Sequence, residues 1–171
     1  MKLRGLLLGL IAILPTLCLA ETTADQETCN DDDATITDRM RACSQIIADK
    51  GATSNLGFAY QNRGNVFTDT GQWDLAIADE TKAIDFNPQD AAAYNIRAWA
   101  FLKLGNVKQA LVDANQALAI NPRFTDALHT RGETYEAMGM TKEATDDYHK
   151  ALAIDPAHED SKEALDRLGV K

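Results

Sequence analysis

The side chains best suited to chemistry in this sequence are His129, His149 and His158, the cysteines Cys18, Cys29 and Cys43, and 26 carboxylates. The histidines lack the close spacing with which a helix or loop presents metal ligands. No His-Glu-x-x-His helix, phosphate-cradling glycine loop or nucleophile elbow is present. The carboxylates scatter along the polar faces of helical segments, as a solvated acidic protein requires. These features predict no enzymatic activity, no cofactor and no bound metal.

The cysteines point elsewhere. Lys2 and Arg4 open the chain, an apolar run follows from Gly5 to Cys18, and Cys18-Leu19-Ala20 offers small residues three and one before a cut. This layout predicts a secretory signal peptide over residues 1–20, cleaved after Ala20, and hence an exported, periplasmic or secreted protein. An uncleaved membrane anchor is the rival reading. The run is shorter than the roughly 20 apolar residues of a span, and Pro15 interrupts it. A lipid anchor on Cys18 is disfavoured by Leu17, where a small residue is required. Cleavage would leave Cys29 and Cys43, which in an oxidising compartment read as one disulfide. A closed loop of about 15 residues contributes roughly 3 kcal/mol through the unfolded state. The pair reads as a staple rather than a redox site, because no Cys-x-x-Cys spacing is present.

Charge narrows the partners. The formal net charge is −9, and loss of Lys2 and Arg4 takes it to −11. No basic stripe is available for a phosphate backbone or for anionic lipid, so neither nucleic acid nor a membrane surface is expected. Membrane contact would arise only if the N-terminal segment were retained.

The elements that must position these residues follow from an internal repeat. Pro88, Pro122 and Pro156 recur 34 residues apart, preceded by Asn87, Asn121 and Asp155. Alanines keep the same period at Ala76, Ala110 and Ala144 and at Ala83, Ala117 and Ala151, as do Gly71, Gly105 and Gly139. Upstream stand Tyr60-x-x-Arg63-Gly64-x-x-Phe67, Tyr94-x-x-Arg97-Ala98-x-x-Phe101 and Leu128-x-x-Arg131-Gly132-x-x-Tyr135. Each copy predicts two antiparallel helices. In the first copy, residues 57–70 carry Tyr60, Gly64 and Phe67 on one face. Gly71 ends that helix, a second runs from Trp73 to Asp85, and Pro88 stops it. Trp73 reads as turn packing beside Gly71. The small residues Gly64, Ala98 and Gly132 let the partner helix approach. Arg63, Arg97 and Arg131 recur with Asp79, Asp113 and Asp147, and predict pairs across repeat boundaries, Arg97 with Asp79 and Arg131 with Asp113.

This pattern resembles the tetratricopeptide repeat, with its Trp-x-x-Leu-Gly-x-x-Tyr, alanine and proline columns. The chain departs from that pattern in several columns. Tyr60, Tyr94 and Leu128 stand where tryptophan is usual, arginine replaces leucine, and Glu80 and Ala114 replace the second-helix aromatic that Tyr148 keeps. The resemblance implies an all-α, right-handed solenoid of helix pairs. Its parts are a signal peptide (1–20), an N-terminal tail (21–33), a half-repeat helix and linker (34–56), three repeats (57–90, 91–124 and 125–158) and a capping helix (159–171). The half-repeat helix puts Ile36, Met40, Cys43, Ile46 and Ile47 on one face and Ala42 in the alanine column. In the last segment Ala164, Leu165 and Leu168 cover the open end, as a solenoid requires.

The resemblance also implies a role. First helices of such repeats line a concave groove that receives a peptide or partner segment. The face opposite the core stripe nominates Phe58, Gln61, Asn65 and Thr68, then Asn95, Trp99 and Leu102, then His129, Glu133 and Glu136. The expected function is a protein-protein interaction module, an adaptor or assembly factor, with no small-molecule substrate. The alternative is a structural subunit of an envelope complex that docks through an end or the convex face. A small-ligand carrier fits less well, because an open groove rarely encloses a ligand.

Some members of the family clamp a C-terminal carboxylate with lysine, asparagine and arginine. The corresponding positions here hold Gln61, Asn65, Ile96, Asp126 and Thr130, of which only Asn65 matches. With no cation in those columns and Asp126 opposing an anion, a peptide ending in Glu-Glu-Val-Asp should not bind measurably by calorimetry. Low-micromolar binding would contradict this.

Overall fold

In a computed structural model, residues 24–49 and 56–170 are described. The proposed signal peptide lies outside them. All regular structure among these residues is helical. A short helix over residues 24–29 (α1) precedes α2 (Ile36–Ala48), α3 (Leu56–Asp69), α4 (Trp73–Phe86), α5 (Ala91–Lys103), α6 (Val107–Ile120), α7 (Thr125–Ala137), α8 (Thr141–Ile154) and α9 (Glu159–Arg167). None of the described helices is long and apolar enough to cross a membrane.

The turns explain the hairpins. Gly71, Gly105 and Gly139 have φ of 70°, 76° and 75°, a region that costs a residue with a Cβ. The amide one residue further on reaches back to the last turn of the helix: Gln72 to Phe67, Asn106 to Phe101 and Met140 to Tyr135, at 2.8, 2.8 and 2.9 Å. This closure lets the next helix begin at once, antiparallel to the last. Asp90 starts α5 by accepting from the amides of Ala92 and Ala93.

Within each hairpin the helices meet at one small residue. A Cβ at Gly64 would overlap the Glu80 carboxyl, and one at Gly132 would overlap the Tyr148 ring. Repeat two meets the same requirement with Ala98 and Ala114, both fully buried. A large residue therefore faces glycine, and alanine faces alanine, so the gap is filled in every case. The surrounding core is mostly alanine, including the fully buried Ala76, Ala110 and Ala144. Short side chains of this kind keep the helix axes close.

The arginine column works within the repeat, which corrects the pairing expected across boundaries. Arg63 grips Asp79 through Nε and Nη2 at 2.6 and 2.9 Å, Arg97 grips Asp113 at 2.7 and 3.0 Å, and Arg131 grips Asp147 at 2.6 and 3.0 Å. Each is a planar two-bond fork joining the helices of one hairpin. The boundary is crossed by the remaining nitrogen. Nη1 of Arg63, Arg97 and Arg131 donates to Ser44, Thr81 and Asn115 on the preceding hairpin. Those partners are neutral, so the charge stays inside the repeat while the orientation passes along the stack.

The N-terminal hairpin is a shortened copy in a shifted register. The buried positions of α2 are Arg39, Ala42, Cys43 and Ile46, and those of α4 include Ala76, Asp79, Glu80 and Ala83. The offset is 37 residues, not 34, and the step from Ser44 to Thr81 agrees. Arg39, not Ala42, therefore continues the alanine column. The linker accounts for the shift: seven residues separate α2 from α3, whereas four separate α4 from α5. Cys43 falls in the column of Glu80 and Tyr148. The disulfide it makes with Cys29, Cα atoms 5.0 Å apart, stands where the other hairpins have their close contact. Both cysteines are fully buried with Ala42, Ile46 and Ala59. Arg39 pairs with Asp32 at 3.2 Å and reaches Asp69 at 3.9 Å, tying the loop after α1 to α3.

At the other end, Ser161, Ala164 and Leu165 of α9 are buried. Ala164 and Leu165 join Ala144 and Tyr148, with Leu168 and Val170 packed alongside.

Two predictions follow from this packing. In double-mutant cycles, Arg97 and Asp113 should couple by about 1–3 kcal/mol, whereas Arg97 and Asp79 should show almost none; the reverse would restore the boundary pairing. Glu80 generates the second. Its side chain is fully buried, and neither carboxyl oxygen has a hydrogen-bond partner. Desolvation first, then the charges of Asp90 and Asp79, push its pKa from the ordinary 4.5 to about 9, with Arg97 opposing. Between those values the folded chain holds a proton that the unfolded chain has released. Stability is therefore full below the lower value and falls as pH rises towards the upper one, by at most about 1.4 kcal/mol per pH unit. Wild type minus Glu80→Gln, measured by urea unfolding, should slope downward between about pH 5 and pH 8. A flat difference would contradict it.

Candidate functional site

The curvature of the stack follows from which helices touch. The first helices of neighbouring repeats, α3, α5 and α7, contact one another, while the second helices α4, α6 and α8 touch at most marginally. The first helices therefore line the inner, concave side. Helix α9 sits where the first helix of a further repeat would lie: its limits, Glu159 to Arg167, fall 34 residues after Thr125 and Glu133 of α7.

Two cavities open on this side, of about 530 and 450 Å3, and share Lys103, Glu133 and Arg167. The larger is walled by Trp99 of α5, His129 of α7 and Asp160, Glu163 and Ala164 of α9. The smaller adds Leu102, Glu136 and Ala137.

Trp99 has two roles at once. Its ring meets Trp73 edge-on at 5.2 Å, and Lys103, one turn along α5, places its ammonium 5.1 Å from the ring centre. Such a contact stabilises by about 0.5–1 kcal/mol when partly exposed. Trp99 is thus half-buried between helices and also faces the cavity. Trp73 packs beside Gly71 in the turn and also against the Trp99 ring, outside the cavity lining.

Two of the nominated residues of the third repeat, His129 and Glu136, prove to be joined to α9. His129 Nδ1 lies 3.2 Å from Ser161 Oγ, and its Nε2 lies 3.9 Å from Glu133. Burial pushes the His129 pKa down, while Glu133, Asp160 and Asp126 pull the other way. Glu136 accepts from the Tyr148 hydroxyl at 2.5 Å and from Arg167 at 2.8 Å. Burial, then the bond to Glu136, raises the Tyr148 pKa. Asp126 meets His158, which also caps α9 by accepting from the Ser161 amide. Among the described residues, no group of three His, Cys, Asp or Glu side chains is arranged to hold a metal ion.

The remaining nominees divide. Leu102 lines the smaller cavity, Phe58 is 36% exposed, and Gln61 and Asn65 are half-buried on α3. Thr68 and Asn95 turn inward, at 6% and 9% exposure, and Thr68 spends its hydroxyl on the Asn65 carbonyl. They do not offer themselves to a ligand. Sequence reasoning missed Lys103, Asp160, Glu163 and Arg167. The signal was present in the period: the columns of His129 and Glu133, carried 34 residues forward, land on Glu163 and Arg167.

A stack of helix hairpins with its first helices lining an open groove defines an α-solenoid repeat protein. The chain belongs to the tetratricopeptide-repeat family. The family's sequence model, described as tetratricopeptide repeat, matches residues 91–124 and 125–158. The TPR domain of Arabidopsis OM64 is 32% identical, with a TM-score of 0.63 over 67% of this chain and 94% of that one. The first TPR domain of human RPAP3 is 28% identical, with a TM-score of 0.65 over 67% and 91%. The first TPR of Spaghetti (RPAP3), whose structure holds an HSP90 peptide SRMEEVD, is 28% identical, with a TM-score of 0.62 over 66% and 90%. A search of curated proteins returns no match.

Because Glu136 receives both Tyr148 and Arg167, Arg167→Ala should loosen α9 without unfolding the stack. Amide exchange in α9 should quicken roughly two- to fivefold, as loss of a partly exposed pair allows, with α3 and α4 unchanged. Unaltered α9 protection would show that Arg167 does not hold it.

Proposed function

We propose that this chain is an exported protein-interaction module, an adaptor or assembly factor, that seats an extended segment of a partner protein along the concave surface. The observation that carries the reading is the pair of adjoining open cavities across α5, α7 and α9, floored by Trp99 and Leu102. An indole held edge-on by Trp73 is already rigid, so it loses little freedom on binding, which suits an anchor. The peptide complex of the Spaghetti TPR supports the same use of this fold. Export rests on the N-terminal sequence, and the Cys29–Cys43 disulfide fits an oxidising compartment.

A second reading, a structural subunit docking through the outer side, is favoured by apolar side chains on the second helices. Val112 is 67% exposed and Phe86 51%. The two readings separate in one experiment. Peptides selected from a random display library on the intact chain should lose about tenfold in affinity with Trp99→Ala or Glu133→Gln, both checked for unchanged unfolding, and nothing with Val112→Ser. Binding insensitive to both groove variants but lost with Val112→Ser would favour the outer face.

A further inference from the structure

We propose that the larger cavity, between α5, α7 and α9, is a seat for a lysine or arginine side chain of the bound segment. This rests on the groove reading above and names the chemistry of its partner.

Two of the three carboxylates around the cavity carry no ion pair among the described residues. Three carboxylates line it: Glu133 on α7, and Asp160 and Glu163 on α9. Asp160 and Glu163 stand three apart on one face of α9, and neither makes a hydrogen bond or ion pair among the described residues. The two cations at the rim are occupied. Arg167 is bonded to Glu136 at 2.8 Å, and Lys103 rests on the Trp99 ring and comes only within 4.0 Å of Glu133. His129 is held towards its neutral form by burial. The cavity is therefore short of positive charge.

Its walls supply the rest of what a long basic side chain needs. Trp99 and Ala164 present apolar surface for a methylene stem, beside carboxylates placed to take the charged head. An acidic tail would meet Asp160 and Glu163 head-on. A neutral segment would bury the same carboxylates without compensation. The excess of acidic residues over the whole chain would speed the approach of a basic segment but would not select this cavity. The test must separate the local from the global effect.

The chain has two tryptophans, Trp73 and Trp99; Trp99 lines the cavity and Trp73 meets its ring at 5.2 Å, so intrinsic fluorescence reports occupancy. The probes are two capped peptides, lysine alternating with alanine and glutamine alternating with alanine. At low salt the lysine peptide should bind about tenfold more tightly than the glutamine peptide. Asp160→Asn with Glu163→Gln should abolish that preference. Asp33→Asn with Glu143→Gln, which makes the same change in net charge away from the cavity, should preserve it. Circular dichroism of α-helix content checks that both variants fold, and Glu163→Gln alone provides a milder second case. Equal loss in the two double variants, or equal binding of the two peptides, would overturn the assignment. The groove reading would still stand if display-selected peptides continued to depend on Trp99.

Discussion

Everything in this molecule depends on how closely two helices can approach inside each hairpin. One position on the first helix sets that distance, residue 64, 98 or 132, and in all three it is glycine or alanine. The facing residue fills the gap that remains: Glu80 or Tyr148 against glycine, Ala114 against alanine. Close axes allow short side chains to make a dense core, which is why a chain with few large buried residues can be packed at all. The N-terminal hairpin solves the same problem covalently, with Cys43 in the facing column and Cys29 as its partner.

Approach alone would leave the hairpins free to turn against one another. The arginine forks remove that freedom. Two nitrogens hold the aspartate of the same hairpin and the third reaches the hairpin before it, so one planar group fixes both the angle within a unit and the stagger between units. A buried ion pair is weak evidence for stability, and its role here is geometric. With the first helices in mutual contact and the second helices apart, the repeated stagger bends the stack and opens a concave side. The groove is a consequence of packing rules that act within a few residues.

The helix pairs were legible because glycine and proline punctuation and the small-residue columns act locally. Partner choice was less so. Asp79 lies 18 residues before Arg97 and Asp113 lies 16 after it, and a periodic column does not say which helix the guanidinium faces. The register of α2 misled for a related reason: a period holds only while linkers keep their length, and the one before α3 is longer. At the site, Trp99, His129 and Glu133 could be found on helical spacing. The α9 residues that complete the cavity were hidden because that helix read only as a cap. Glu80 stood out as a departure from the aromatic column, but its isolation from any hydrogen-bond partner is a property of the packed interior.

The close-approach claim can be tested without perturbing the protein. In a nuclear Overhauser spectrum of the intact chain, the α-protons of Gly132 should give strong cross-peaks to the ring protons of Tyr148, whose ring occupies the space that a Cβ would need. Absence of those cross-peaks, with Tyr148 instead contacting residues outside α7 and α9, would contradict the account.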